Sequence, residues 1–147
     1  MKLIFVCEGN TCRSPMMEFA FKDYLELQYK NGIEAESRGI SAEDGSLSPY
    51  AQTVLIAHGI AYSDGRTKRF TAEDYDGADV IIAVTDDIAK RLVENYGRNK
   101  IYALSEIADA EIPDPCGKGL EEYERTYRKI SASLPFILQF LEMNFNV

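Results

Sequence analysis

Leu3-Ile4-Phe5-Val6-Cys7-Glu8-Gly9-Asn10-Thr11-Cys12-Arg13-Ser14-Pro15 decides the fold of this chain. The apolar run Leu3 to Val6 predicts a strand buried on both faces, as in a parallel sheet. Glu8 to Arg13 reads as a short polar loop. Ser14-Pro15 predicts a helix start, with serine as N-cap and proline at the first helical position. The Cys7 thiol then ends a strand and faces a helix N-terminus. Unpaired amides and the positive end of the helix dipole favour a thiolate at such a place. The loop can curl so that successive N–H groups converge on an anion. Five residues separate Cys7 from Arg13, whose planar guanidinium can hold two oxygens of a tetrahedral oxyanion. A nucleophile beneath a bound phosphate, with donors for its equatorial oxygens, is a phosphoryl-transfer site.

The same alternation of short apolar runs and longer amphipathic ones continues along the chain. The first helix carries Met16, Ala20, Tyr24 and Leu27 at helical spacing and stops near Asn31-Gly32. A weaker strand spans Ile33 to Arg38. Ser48-Pro49 repeats the cap signal for a helix from Tyr50 to His58, ended by Gly59. Thr71-Ala72-Glu73-Asp74 reads as a capping box. Val80 to Val84 is a second buried strand, and Thr85-Asp86-Asp87 opens a helix ending at Tyr96-Gly97. Ile101 to Leu104 is the last strand. Ser105 to Gly119, with Pro113 and Pro115, reads as one long irregular loop, and loops of that length are often functional. A final helix runs from about Leu120 to Asn144, with Leu120, Tyr123, Tyr127, Ile130, Leu134, Ile137 and Leu141 as its apolar stripe. Pro135 should kink or split it. The pattern predicts one α/β domain over residues 1–147. Its three layers are a four-stranded parallel sheet with helices on both faces, and the anion loop joins the first strand to the first helix. Ligands of such sheets bind beyond the carboxyl ends of the strands, where Cys7 stands.

Composition bounds the function. The 147 residues suit a single domain. Sixteen basic against 24 acidic residues leave a net charge of −8, a field that repels nucleic acid and anionic membranes. Any anion must therefore be bound locally, by a few donors. No apolar run approaches the ~18 residues of a membrane span, and Met1 to Cys7 is too short for a signal-peptide core. Three cysteines, an odd number in a chain large enough to fold without disulfides, indicate a reducing, cytoplasmic setting and a thiol kept for reactivity. Cys7 and Cys12 form no zinc site, because the remaining His58 and Cys116 do not make a second ligand pair. No metal and no cofactor are expected.

The stretch from Val6 to Met16 resembles the phosphate-binding loop of low-molecular-weight protein tyrosine phosphatases. The likeness continues through Ser48-Pro49, His58-Gly59-Ile60, Phe70 to Asp74, Asp79 to Ala83 and Asp114-Pro115, and so spans nearly the whole chain. The resemblance implies a metal-independent protein phosphatase that releases inorganic phosphate from a phosphorylated protein and acts as a monomer. It implies Cys7 as nucleophile, and Arg13 with the amides of Glu8, Gly9, Asn10, Thr11, Cys12 and Ser14 as phosphate ligands. Ser14 would donate to the thiolate and Asn10 would brace the loop. Asp114 would serve as general acid and then base, with its backbone restricted by Pro115. His58 would be a buried histidine supporting the loop. Cys12 would be able to form a reversible disulfide with Cys7, sparing it from irreversible oxidation.

Some positions depart from the tyrosine-phosphatase pattern. Thr11 stands where an apolar residue is usual, Val84-Thr85 where Met-Asp is usual, Cys116 and Gly117 where aromatic residues are usual, and Gly65 where some members have a second histidine. Thr11, Thr85 and the glycine after Asp-Pro resemble the bacterial protein-arginine-phosphatase branch. A flat ring gains from apolar walls, whereas a guanidinium needs acceptors such as a threonine hydroxyl or Asp114. Phosphotyrosine is the leading expectation and phosphoarginine the alternative, with Tyr50 available as an aromatic wall. An arsenate reductase of this fold would need further cysteines near Val84 to Arg91, where there are none. A non-catalytic phosphoprotein-binding module would be expected to lose Cys7, Arg13 or Asp114, and all three are present.

Overall fold

In a computed structural model, which describes residues 1–62 and 65–147, the chain folds around four parallel strands. These are β1 (Lys2–Cys7), β2 (Glu34–Gly39), β3 (Val80–Ala83) and β4 (Ile101–Ala103). Their order is β2-β1-β3-β4, so β1 pairs on both sides. Chain direction across the sheet reverses between β1 and β3, which makes the carboxyl end of β1 a topological switch point.

The expected three layers are present. Alternate side chains of the central strands enter opposite cores. Leu3, Phe5, Val80 and Ile82 meet helices α1 (Arg13–Leu27), α2 (Pro49–Ala57) and α6 (Leu120–Asn144). Ile4, Val6, Ile81 and Ala83 meet Phe70, Ala78, Ile88 and Leu92, around α3 (Ala72–Gly77) and α4 (Asp86–Tyr96). Every one of these strand residues is fully buried, each aliphatic or aromatic side chain contributing roughly 1.5–3 kcal/mol. Among the described residues no helix is long and apolar enough to cross a membrane.

Four local expectations need correction. Ser14 is not a helix cap: α1 already begins at Arg13, with Cys12 at the N-cap position and no side-chain cap. Pro15 is tolerated because the first-turn N–H groups have no helical partner in any case. Leu27 is 68% exposed; the buried face of α1 runs instead through Met16, Met17, Ala20, Phe21 and Leu25. The stretch after β4 is not all loop, since Leu104–Ala108 forms helix α5. Its first turn is fixed by Glu106, whose carboxylate accepts the Ala103 N–H at 2.8 Å, and by the fully buried Leu104. Finally, of the kink or split expected at Pro135, the split does not occur: α6 continues through that residue. Leu134, Ile137, Leu138 and Leu141 anchor both sides of that turn in the core, which outweighs the single lost donor.

The capping expectations elsewhere hold. Ser48 caps α2 with Pro49 next to it, Thr71 and Asp74 form the capping box of α3, and Thr85 caps α4.

Candidate active site

β1 delivers Cys7 to the switch point, 2% exposed. Its Sγ lies 2.9 Å from Ser14 Oγ and receives the Asn10 N–H at 3.3 Å. Asn10 makes this possible by adopting φ 57°, a left-handed conformation that asparagine tolerates better than most residues. Its carboxamide fixes that turn from three directions. Nδ2 donates to Ser14 Oγ and to Ser37 Oγ, both at 3.0 Å, and Oδ1 accepts the Lys68 N–H at 2.9 Å. Ser37 in turn donates to Glu18 at 2.7 Å.

The Ser14 hydroxyl has one hydrogen and two acceptors within reach, the Arg38 carbonyl at 3.1 Å and Cys7 Sγ. As a thiol, Cys7 can donate to Ser14 while Ser14 donates to Arg38. As a thiolate, Cys7 can take the Ser14 hydrogen instead. The same hydroxyl thus serves both protonation states of the sulfur.

Gly39 lets the loop pack this closely. It lies opposite Cys7 in the β1–β2 register. A Cβ there would meet Asn10 N and Glu8 O at 2.7 Å and Gly9 C at 2.8 Å, all backbone atoms. No side chain fits under the loop.

Arg13 reaches from the start of α1 to the segment carrying Asp114. It is buried, its Nη1 donates to the Ile112 carbonyl at 3.3 Å, and its Nη2 lies 3.7 Å from Asp114 Oδ2. Ile112 is fully buried and its N–H donates to the Val84 carbonyl at 3.0 Å, just past β3. The Asp114 side chain is 51% exposed and its Oδ1 accepts the Cys116 N–H at 3.0 Å. Pro115 beside it is buried. The start of α1 and the segment carrying Asp114, far apart in sequence, thus meet through Arg13.

The model of the low molecular weight phosphotyrosine protein phosphatase family matches residues 2–146. The chain belongs to that family. It is 37% identical over 134 residues to the low molecular weight protein-tyrosine-phosphatase PtpB of Staphylococcus haemolyticus, covering 88% of this chain and 92% of the relative. It is 33% identical over 132 residues to the protein-arginine-phosphatase of Bacillus subtilis, covering 86% and 87%. Its fold matches a solved YwlE arginine phosphatase, a variant with a phosphorylated active-site serine, at TM-score 0.90 and 29% identity. That match covers 98% of this chain and 97% of the other. This low-molecular-weight phosphatase is accordingly an enzyme of phosphorylated proteins, with phosphate as product.

The sequence missed several groups around the phosphatase loop. Tyr123 of α6 is buried, and its hydroxyl lies 3.3 Å from Cys12 Sγ. Burial, then the Cys12 contact, push its pKa up to about 12, so it stays a neutral phenol. Tyr50 packs edge-on to the Tyr123 ring, centroids 5.4 Å apart, and remains 46% exposed. The Thr11 carbonyl accepts the Ser48 N–H at 2.9 Å, which ties the loop to the start of α2. Glu8 is held by Arg91 of α4 at 2.6 and 3.1 Å. Arg91 and then Ser41 lower the carboxyl pKa of Glu8.

His58 corrects an expectation. It is neither buried nor bonded to the loop. It ends α2 at the surface, its Nε2 donates to Glu124 Oε2 at 2.9 Å and its ring stacks on Tyr127 at 4.0 Å. Its position just past the last turn of α2 directs the ring toward α6. Thr85 stands at the start of α4, where its hydroxyl oxygen accepts the Ile88 N–H at 3.3 Å. All three cysteines are free, with Cys7 and Cys12 buried and Cys116 exposed. Among the described residues no group of three or more His, Cys, Asp or Glu is placed to hold a metal ion.

Proposed function

We propose that this enzyme hydrolyses phosphorylated protein side chains through a cysteinyl-phosphate on Cys7, and that phosphoarginine is its preferred substrate. The observation that carries the mechanism is the approach of Asp114 to Arg13, 3.7 Å apart, in a chain whose Cys7 sulfur already accepts a loop N–H. The Cys7 thiolate attacks phosphorus while the bond to the leaving nitrogen or oxygen breaks, and Asp114 supplies the leaving group's proton. Asp114, now a carboxylate, removes a proton from water as that water attacks the phosphocysteine. Phosphate leaves and the thiolate is restored. Arg13 and the loop amides bear the charge on the equatorial oxygens throughout. Asn10 and Ser14 hold the sulfur and the loop in register, and Pro115 fixes the backbone beside Asp114.

Substrate choice rests on the walls. Cys116 and Gly117, both exposed, follow Asp114-Pro115 and offer no ring. Thr11 brings a hydroxyl to the loop, where it makes a weak contact with Cys12 Sγ at 3.5 Å. Thr11 and Asp114 together present acceptors to a guanidinium. The likeness to the protein-arginine-phosphatase of Bacillus subtilis supports this reading. A second reading, phosphotyrosine, is favoured by the exposed Tyr50 ring and by the likeness to the protein-tyrosine-phosphatase PtpB of Staphylococcus haemolyticus.

The test has two parts. Without added metal, the protein should release phosphate from an aryl phosphate and be inhibited by vanadate. Cys7→Ser and Arg13→Ala should abolish turnover, and Asp114→Asn should lower kcat by roughly 10²- to 10⁴-fold. Full activity in Cys7→Ser sinks the mechanism. Matched phosphoarginine and phosphotyrosine peptides then decide the substrate. Wild type should favour phosphoarginine and Thr11→Ile should shift the ratio toward phosphotyrosine. An unchanged ratio refutes the role given to Thr11.

A further inference from the structure

A loop that binds a phosphoryl dianion should not contain a carboxylate, least of all in a chain of net charge −8. Glu8 breaks that rule. It directly follows Cys7, and while much of the loop is buried its own side chain is 43% exposed. It is also close enough to Arg13 for the guanidinium to favour its charge. Left alone, Glu8 would repel an incoming phosphate and draw on the field of the residue meant to bind it.

The structure answers this charge from the next strand. Arg91 sits on α4, which follows β3, the neighbour of β1. Its Nη1 and Nη2 donate separately to the two Glu8 oxygens, at 2.6 and 3.1 Å. This is the fork-to-fork geometry that only arginine makes. Asp87, one turn earlier on α4, lies 3.7 Å from the same guanidinium. The pair is local and two-sided: on the loop side it opposes a carboxylate within the anion cradle, and on the helix side it links α4 to the site.

We propose that Arg91 is a positioning residue that neutralises Glu8, so that the loop keeps its affinity for phosphate despite the carboxylate beside the nucleophile. The proposal rests on the reading of this loop as the phosphoryl site. It differs from a mechanical clamp in the sign of what each partner does. If the pair only steadied the loop, removing either partner would harm binding. If Arg91 compensates charge, removing Arg91 harms binding and removing Glu8 improves it.

Inorganic phosphate is the probe, because it has no leaving group and needs no turnover. Its dissociation constant is measured by calorimetric titration, with competitive inhibition of aryl phosphate hydrolysis as a second readout. Arg91→Met should weaken phosphate binding by about 3- to 10-fold, the scale of one part-exposed charge near a dianion. Glu8→Gln should tighten it, and the double variant should return to near the wild-type value. Raising the salt concentration should compress all three differences. Arg91→Lys, which keeps the charge and loses the fork, should bind phosphate nearly as well as wild type and covers the case in which Arg91→Met does not fold. Weakened binding in both single variants, a double variant as weak as Arg91→Met, or no change in any variant would overturn the proposal while leaving the phosphatase reading intact. Absence of phosphate binding in the wild type would overturn both.

Discussion

Two strand–helix junctions lie side by side in this sheet, and they treat the helix N-terminus in opposite ways. At β3–α4 the chain closes its own site. Thr85 caps the first turn, Asp86 and Asp87 stand within it, and Glu111 accepts the Asp86 N–H at 2.7 Å. The positive end of the helix is filled by the protein's own acids. At β1–α1 the first turn of the helix has no acidic residue and no side-chain cap. The single carboxylate in the preceding loop is tied to Arg91. The same strand–turn–helix unit is the proposed phosphate site in one copy and a satisfied structural corner in the other. What separates them is where the carboxylates stand, not the fold.

The largest expected effect comes from breaking the open junction without touching any of its polar groups. Gly39→Ala places a Cβ within 2.7–2.8 Å of three loop backbone atoms, and backbone cannot rotate away as a side chain would. The loop must shift, and a displacement near 1 Å at a catalytic site costs on the order of 10²-fold in rate. We expect kcat/KM on an aryl phosphate to fall by about that much while the circular dichroism of the sheet and helices is retained. Near-normal turnover would show that the loop can move aside.

That glycine also shows where sequence reading stops. The Cys7–Arg13 motif is contiguous, so its residues and the strand–loop–helix context around them are legible in the sequence. The parallel sheet is legible because β1 and β3 are continuous apolar runs, whereas β2, with Glu34, Glu36 and Arg38 among its six residues, gives a weaker signal. Asp114 was found through the family resemblance and its proline. The long-range supports were not legible. Gly39, Ser37, Tyr123 and Arg91 meet the loop only through tertiary packing, and nothing near them in sequence marks that meeting. Helix α5 was hidden because five residues give too little periodicity to read. His58 failed in the other direction, since a motif match assigned it a buried, loop-supporting role where local geometry places it at an exposed helix end.

The closed junction offers the next test. Thr85→Ala removes the cap of α4 and should cost about 1 kcal/mol of stability, measured from the urea midpoint. We expect the ratio of phosphoarginine to phosphotyrosine turnover to stay as in wild type, because the Thr85 hydroxyl oxygen is held as the cap of α4. A changed ratio would return Thr85 to the substrate wall and weaken the contrast between the two corners.

The smallest effect concerns a carboxylate behind the open junction. Glu36 of β2 lies between Lys2 at 2.8 Å and Arg38 at 2.8 Å. Arg38 also supplies the carbonyl that Ser14 bonds. Burial raises the Glu36 pKa, but hydrogen bonds from Lys2 and Arg38 outweigh it and bring the group from 4.5 down to about 2. A depressed carboxyl stabilises the folded state only while it is ionised. Its contribution is therefore complete above the unfolded-state value of 4.5 and disappears as the pH falls toward 2. Glu36→Gln should lower the urea midpoint at pH 7 by an amount equivalent to no more than about 1 kcal/mol, as for other part-exposed pairs. The gap to wild type should close between pH 4.5 and pH 2. A gap of constant size down to the acid end would mean that Glu36 supports the strand by packing, and that the open junction is not backed by paired charge on this side.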